Sequence, residues 1–298
     1  MTAVATTDGF TLYAESDGSG EAILFIHEFA ADHRTWAAQV TALSGEFQCI
    51  TYSARGYPPS DVPPSQDAYS YLKAADDAVA VLDAFGVSKA HIVGLSMGGF
   101  CALQLGIRYP RRVLSLLVSS AGSGSNPAHR QAFLQETQDL ASAFRSDGSP
   151  AVAQRIALGP SRIQLRRKNG AAWREFLRQL GAHSAMGMAL TVLGVQRSRP
   201  SLYDLTDDLR EIKAPTLVLN GDEDEACLEP GLLLKRTIPA AGLLVVPNSG
   251  HALNLEEPAL YNYVIRAFVG MTGRDEWPAR DPRSLFSAIG SESSAPDS

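Results

Sequence analysis

Residues 94–98 read Gly-Leu-Ser-Met-Gly, a spacing that can expose a serine as a nucleophile. The apolar run 90–93 precedes them and the helix-forming run 100–107 follows, which predicts a strand, a sharp turn and a helix. Such a turn strains the serine backbone, and the strand and helix approach so closely that only glycine fits two residues before and after it. Free N–H groups at the start of the helix could then stabilise an oxyanion. We therefore predict acyl-transfer chemistry at Ser96.

This arrangement resembles the nucleophile elbow of the α/β-hydrolase family, in which the chain order is serine, acid, histidine. His251 alone among six histidines follows a late strand in that order. The buried-type strand 216–221 ends in four acidic residues, and similar family members place the acid three residues after the glycine. The resemblance thus implies Asp224, with Asp222 as the fallback. A second family position for the acid falls within 116–127, where this chain has no carboxylate.

The resemblance also implies a role for each of these groups. His251 would take the proton of Ser96 and later give it to the leaving group, and Asp224 would orient the imidazole. The oxyanion hole in similar proteins uses two backbone N–H groups. Here these are the N–H of Met97, directly after the serine, and that of Phe29, in the loop after an early strand.

The loop after strand 22–26 departs from the family pattern, because Glu28 stands where most relatives carry glycine. Glu28 could orient substrate or a water near the mouth of the site, or it could point outward and pair with a basic side chain. We favour the structural role, since backbone N–H groups would still stabilise the oxyanion. Glu28, His27 and Leu253 are our candidates for the substrate pocket.

Composition is that of an ordinary globular protein, with 45% apolar and 19% charged residues among 298. No apolar run reaches the ~18 residues of a membrane span, and residues 1–20 do not resemble a signal peptide. The three scattered cysteines predict reduced thiols in a cytoplasmic protein, with no disulfide and no zinc site. We predict no cofactor and no metal. The sequence pI of about 5.5 argues against nucleic-acid binding.

Strand and helix patterns alternate along the chain, which predicts an α/β fold with a mostly parallel, doubly wound sheet. The resemblance implies eight strands and a helical cap inserted over the active site. We assign residues 1–123 and 206–285 to the core and residues 124–205 to the cap. The Ser-rich tail, 286–298, is predicted to be disordered.

Basic residues dominate the stretch 151–200, which carries nine Arg or Lys residues and a single acid, Glu175, in a chain of net charge −6. We favour a solvated cap face that pairs with the acidic core. The alternative is that some cations face the pocket and attract a carboxylate-bearing substrate. The nine are Arg155, Arg162, Arg166, Arg167, Lys168, Arg174, Arg178, Arg197 and Arg199.

The sequence therefore predicts a serine hydrolase that cleaves an ester, thioester or lactone of a small organic acid through an acyl-enzyme. Two alternatives within enzymes are a hydrolase of carbon–carbon bonds and a cofactor-free perhydrolase. A third, of another class, is a non-catalytic ligand-binding protein on a hydrolase scaffold. We expect a small-molecule substrate and neither a nucleic-acid nor a membrane partner. The oligomeric state stays open, with a homodimer among the options.

Overall fold

Eight strands form a single sheet in the computed structural model, which describes residues 2–285. The predicted disordered tail, 286–298, lies outside the described residues. In chain order the strands are β1 (Thr2–Ala5), β2 (Thr11–Asp17), β3 (Ala22–Ile26), β4 (Gln48–Tyr52), β5 (Ala90–Leu95), β6 (Val113–Ser119), β7 (Thr216–Gly221) and β8 (Ala241–Val246).

The order of the strands across the sheet is β1-β2-β4-β3-β5-β6-β7-β8. Strand β2 runs antiparallel to β1 and to β4, and every other neighbouring pair is parallel. The predicted mostly parallel, eight-stranded sheet is therefore confirmed. The carboxyl ends of β3 and β5 to β8 lie at one edge of this sheet, where open α/β sheets bind their ligands.

Helices cover both faces of the sheet and its carboxyl edge. Within the described chain no helix combines the length and apolarity needed to cross a membrane. The helices are α1 (Ala37–Leu43), α2 (Tyr71–Ala84), α3 (Met97–Arg108), α4 (Arg130–Ala157), α5 (Ile163–Lys168), α6 (Gly170–Ala182), α7 (Ala185–Thr191), α8 (Thr206–Arg210), α9 (Glu225–Thr237), α10 (Leu253–Glu256) and α11 (Pro258–Gly273).

The central strands are buried along their whole length, as parallel strands covered on both faces must be. Successive side chains point to opposite faces. Leu24 and Ile92 therefore join the core under α2 and α3, whereas Phe25 and Val93 join a second core that includes Phe268 of α11. These two apolar layers fix the sheet between its helices.

The chain between β6 and β7 contains helices and no strand. Helix α4 breaks at Gly148, where φ is 77° and ψ is 166°, so it consists of two helical pieces joined at a kink. A third apolar cluster joins this region to the sheet edge, with Phe144 of α4 and Met188 of α7 packed in the same cluster as Tyr57 and Met97. The helices thus lie over the carboxyl edge, and the limits 124 and 205 of the cap stay a prediction.

Two glycines allow α3 to begin directly against β3 and β5. A Cβ atom on Gly98 would lie 2.0 Å from the carbonyl oxygen of Ile26, and one on Gly94 would lie 2.2 Å from that of Gly98. Both obstacles are backbone atoms, so no side-chain rotation could relieve the overlap. The contact holds the start of α3 against the end of β3.

We expect Gly98→Ala to lower the free energy of unfolding by about 1–3 kcal/mol, because the added methyl must push two backbone segments apart. Urea denaturation of the purified variant measures this. Gly45→Ala is the matched control, since a Cβ there has nothing within 4 Å. An unchanged urea midpoint for Gly98→Ala would show that β3 and α3 lie farther apart than described.

Candidate active site

Ser96 occupies the turn between β5 and α3 with φ 56° and ψ −110°, a conformation that L-residues rarely adopt. Its N–H donates to the carbonyl of Ser119 at 2.8 Å, and its carbonyl accepts from the N–H of Phe100 at 3.0 Å. The predicted strand, sharp turn and helix are confirmed. The side chain is half-buried at the carboxyl edge of the sheet.

Asp224 and His251 form a buried pair at the same edge, with 2.9 Å between Oδ2 and Nδ1. Burial alone would raise the pKa of Asp224, but the His251 ring outweighs it and lowers that pKa. Burial would lower the pKa of His251, and the Asp224 carboxylate outweighs it and raises that pKa. The pair therefore fixes the Nδ1–H tautomer and leaves Nε2 free to act as a base.

Hydrogen bonds hold the backbone of the loop that carries His251 on both sides of that residue. Glu256 accepts the N–H of Gly250 at 2.6 Å and that of Ala252 at 3.0 Å. Asp222, our fallback acid, accepts the N–H of Ser249 at 3.1 Å instead of contacting the histidine. Asp222 thus belongs to the support of the loop, and Asp224 is the carboxylate that contacts the ring.

Ser96 is brought to the same sheet edge as the Asp224–His251 pair. Within residues 2–285 no hydrogen bond joins Ser96 Oγ to His251 Nε2. In unliganded enzymes such catalytic hydrogen bonds are often long and shorten when substrate binds. The structure therefore joins the acid to the histidine directly and places the serine at the edge where both lie.

Cys227 adds a thiol to this neighbourhood. Its sulfur donates to the carbonyl of Ser120 at 3.2 Å, and it lies within 4.8 Å of the ligand atoms of Asp224 and His251. An aspartate, a cysteine and a histidine are ligand types that zinc accepts, but here Asp224 Oδ2 and His251 Nδ1 are paired with each other. Burial and the nearby Asp224 raise the pKa of the Cys227 thiol. This environment favours a protonated, hydrogen-bonded thiol.

The two N–H groups predicted for the oxyanion hole lie on either side of the close contact between β3 and α3. Met97 is the first residue of α3, where N–H groups have no acceptor inside the helix. The loop with Phe29 is held in place by Tyr57, whose hydroxyl donates to the Phe29 carbonyl at 2.5 Å. The arrangement supports both candidates, and their role as oxyanion donors stays a prediction.

Glu28 lies inside the protein with 2% exposure, so the alternative in which it points outward is wrong. It does pair with a basic side chain, but that partner is buried Arg162 of the cap, whose Nη2 donates to Glu28 Oε2. The same Oε2 lies 3.9 Å from Nε2 of His251. In the sequence Arg162 is one of nine cations, and no local pattern indicates that it pairs with Glu28.

His27 and Leu253 do not line a pocket, which corrects our prediction. His27 is fully buried, with Nδ1 2.7 Å from the Glu28 carbonyl and Nε2 accepting the N–H of Ala54 at 3.0 Å. Burial lowers the pKa of His27, so the neutral ring links two loops. Leu253 is 1% exposed and packs with Trp36 and Phe268 in the core between the sheet and its flanking helices.

Two of the nine cations between residues 151 and 200 pair with acids of the predicted core. One is Arg162, bound to Glu28, and the other is Lys168, whose ammonium lies 2.5 Å from Glu257. Arg199 is different. It is buried, donates to the carbonyl of Ser123 at 2.9 Å, and burial lowers its pKa to about 10.

Comparisons with known proteins place the chain in a family. Residues 21–258 of the chain match a family described as "alpha/beta hydrolase fold". The chain is 25% identical to 3-oxoadipate enol-lactonase 1 of Acinetobacter baylyi, over 89% of this chain and 96% of that one.

Two solved structures share both fold and sequence with the chain. A thermophilic esterase from Thermogutta terrifontis, with malate bound, has a TM-score of 0.82 and 26% identity and covers 91% of this chain and 98% of its own. Est816, described as an N-acyl homoserine lactone degrading enzyme, has a TM-score of 0.74 and 29% identity. The match covers 90% of this chain and 100% of that one. From the matched residues and these neighbours, the chain belongs to the alpha/beta hydrolase fold family.

Proposed function

We propose that this hydrolase cleaves an ester, thioester or lactone of a small organic acid through an acyl-enzyme formed on Ser96. The observation that carries the proposal is the buried 2.9 Å pair of Asp224 and His251 at the sheet edge that also presents the strained Ser96. The esterases and lactonases among the relatives support carboxylic esters and lactones as the bond class.

The proposed reaction uses only groups of this chain and water. Ser96 Oγ attacks the carbonyl carbon while His251 Nε2 takes its proton, and Asp224 stabilises the imidazolium. The N–H groups of Met97 and Phe29 would hold the oxyanion, and His251 then gives the proton to the leaving oxygen. A water molecule repeats the sequence on the acyl-enzyme, which releases the acid and restores Ser96.

We further propose that the substrate carries a carboxylate. A cavity of about 320 Å³ between β6 and β7 is lined by Arg166 and Arg167 together with exposed Leu158 and Ile163, and also by Arg162, whose charge is paired with Glu28. No acid lines this cavity, so an anionic group would meet a cationic wall next to apolar surface. The related esterase from Thermogutta terrifontis, which has malate bound, supports this substrate class.

Ser96→Ala tests the nucleophile. We expect hydrolysis of a short-chain p-nitrophenyl ester to fall by roughly 10³-fold or more, because the substitution removes the hydroxyl on which the proposed acyl-enzyme forms. Labelling by a fluorophosphonate probe should disappear together with activity. Ser142→Ala, at an exposed serine of α4, should retain both. Wild-type protein that is neither labelled nor active would contradict the proposal.

Asp224→Asn tests the acid through the pH profile. Neutral His251 is the active form, so kcat/KM is lost as pH falls through its pKa, which the Asp224 carboxylate raises. Removing that charge should move the acid limb to lower pH and reduce kcat by roughly 10³- to 10⁴-fold. Asp222→Asn can still accept the N–H of Ser249 and should keep the acid limb of the wild-type pH profile. If only Asp222→Asn shifted that limb, Asp222 and not Asp224 would be the acid of the site.

The double variant Arg166→Gln/Arg167→Gln tests the substrate class. We expect KM for monoesters of dicarboxylic acids to rise roughly tenfold relative to KM for neutral esters, because an attraction of about 1.4 kcal/mol would be lost. Lys168→Gln is the matched control, since this neighbouring cation is bound to Glu257 and does not line the cavity. Equal losses for acidic and neutral esters would exclude charge recognition by these arginines.

A further inference from the structure

Glu28 faces the nitrogen of His251 that the proposed reaction uses. Its Oε2 lies 3.9 Å from Nε2, which exceeds the length of a direct hydrogen bond. A single water molecule with hydrogen bonds of about 2.8 Å to both atoms fits this separation. The carboxylate and the catalytic base therefore converge on a point where one small hydroxylic molecule can contact both.

One oxygen of the Glu28 carboxylate accepts no hydrogen bond from the described residues. Oε1 of Glu28 is buried and has no hydrogen-bond partner within residues 2–285. A buried carboxylate oxygen without a donor is unfavourable, so a donor in the site would be bound firmly. Oε2, the oxygen near His251, accepts from Arg162 and has a further lone pair, so a water can donate one O–H to Oε2 and the other to His251 Nε2.

Arg162 fixes Glu28 in this position. Its guanidinium is 2% exposed, donates to Oε2 and lies with its central carbon 4.5 Å from the ring centroid of Phe176. The guanidinium donates to the carboxylate, which is thereby held as a hydrogen-bond acceptor that faces His251. Proton transfer in the proposed reaction stays with His251.

We propose that Glu28 positions the water that hydrolyses the acyl-enzyme. In this step the water oxygen attacks the acyl carbon while its proton passes to His251 Nε2, and Glu28 accepts the second O–H without gaining a proton. The bond from the acyl carbon to Ser96 Oγ then breaks, Oγ takes the proton from Nε2, and the free acid leaves. The inference rests on the acyl-enzyme mechanism proposed above.

An alcohol distinguishes this role from a structural one. Methanol has one O–H, which it must donate to His251 Nε2 to be activated, so it cannot also donate a hydrogen bond to Glu28. Loss of the carboxylate should therefore slow attack by water more than attack by methanol. The ratio of methyl ester to free acid formed from one acyl-enzyme measures this difference directly.

The experiment uses Glu28→Leu, whose side chain cannot accept a hydrogen bond, with a p-nitrophenyl ester in buffer containing methanol. We expect a burst of about one equivalent of p-nitrophenol, as in acylation of wild type, followed by a steady state roughly tenfold slower. The ratio of methanolysis to hydrolysis should rise about fivefold or more. Glu257→Gln, at the acid bound to Lys168, should keep the wild-type ratio.

Glu28→Leu/Arg162→Met is the second variant, because it removes the carboxylate without leaving the Arg162 charge buried alone. It should raise the partition ratio in the same direction, and it provides the test if Glu28→Leu does not fold. An unchanged ratio in a folded Glu28→Leu or Glu28→Leu/Arg162→Met protein would overturn the role of Glu28. Failure of the acyl-enzyme mechanism itself would appear separately, as wild-type protein without a burst and without labelling of Ser96.

Discussion

The carbonyl oxygen of Ile26 lies so close to Gly98 that α3 can begin at Met97 only because residue 98 has no side chain. This backbone contact sets the distance between the loop after β3 and the turn that carries Ser96. The predicted oxyanion hole depends on that distance, because one predicted donor lies on each side of it. Glu28 follows Ile26 by only two residues, so the same contact also limits where the backbone of Glu28 can lie.

His251 stands between two carboxylates, which distinguishes this site from one built on a single acid. Asp224 contacts Nδ1, and Glu28 lies across the ring near Nε2. Two buried negative charges beside one imidazole would favour the imidazolium and weaken it as a base. Arg162 offsets the charge of Glu28, so the cap contributes to the electrostatics of a histidine that belongs to the core.

The parts of the site that depend on local sequence could be predicted, and those that depend on distant contacts could not. Glycine spacing and the buried strand predicted the turn at Ser96, because both are properties of a few consecutive residues. The orientation of Glu28 was beyond prediction, since its partner lies 134 positions along the chain. Leu253 was misassigned because proximity to His251 in sequence does not say which face of the sheet a side chain reaches.

The pair of Glu28 and Arg162 also joins two parts of the chain that lie far apart in sequence, the loop after β3 and the helical region between β6 and β7. Separating these parts would hydrate both charges together, and the solvation they regain would compensate for most of the attraction they lose. The pair therefore adds little to the strength of this contact. It makes the contact specific, because a shifted arrangement would leave each charge buried without its partner.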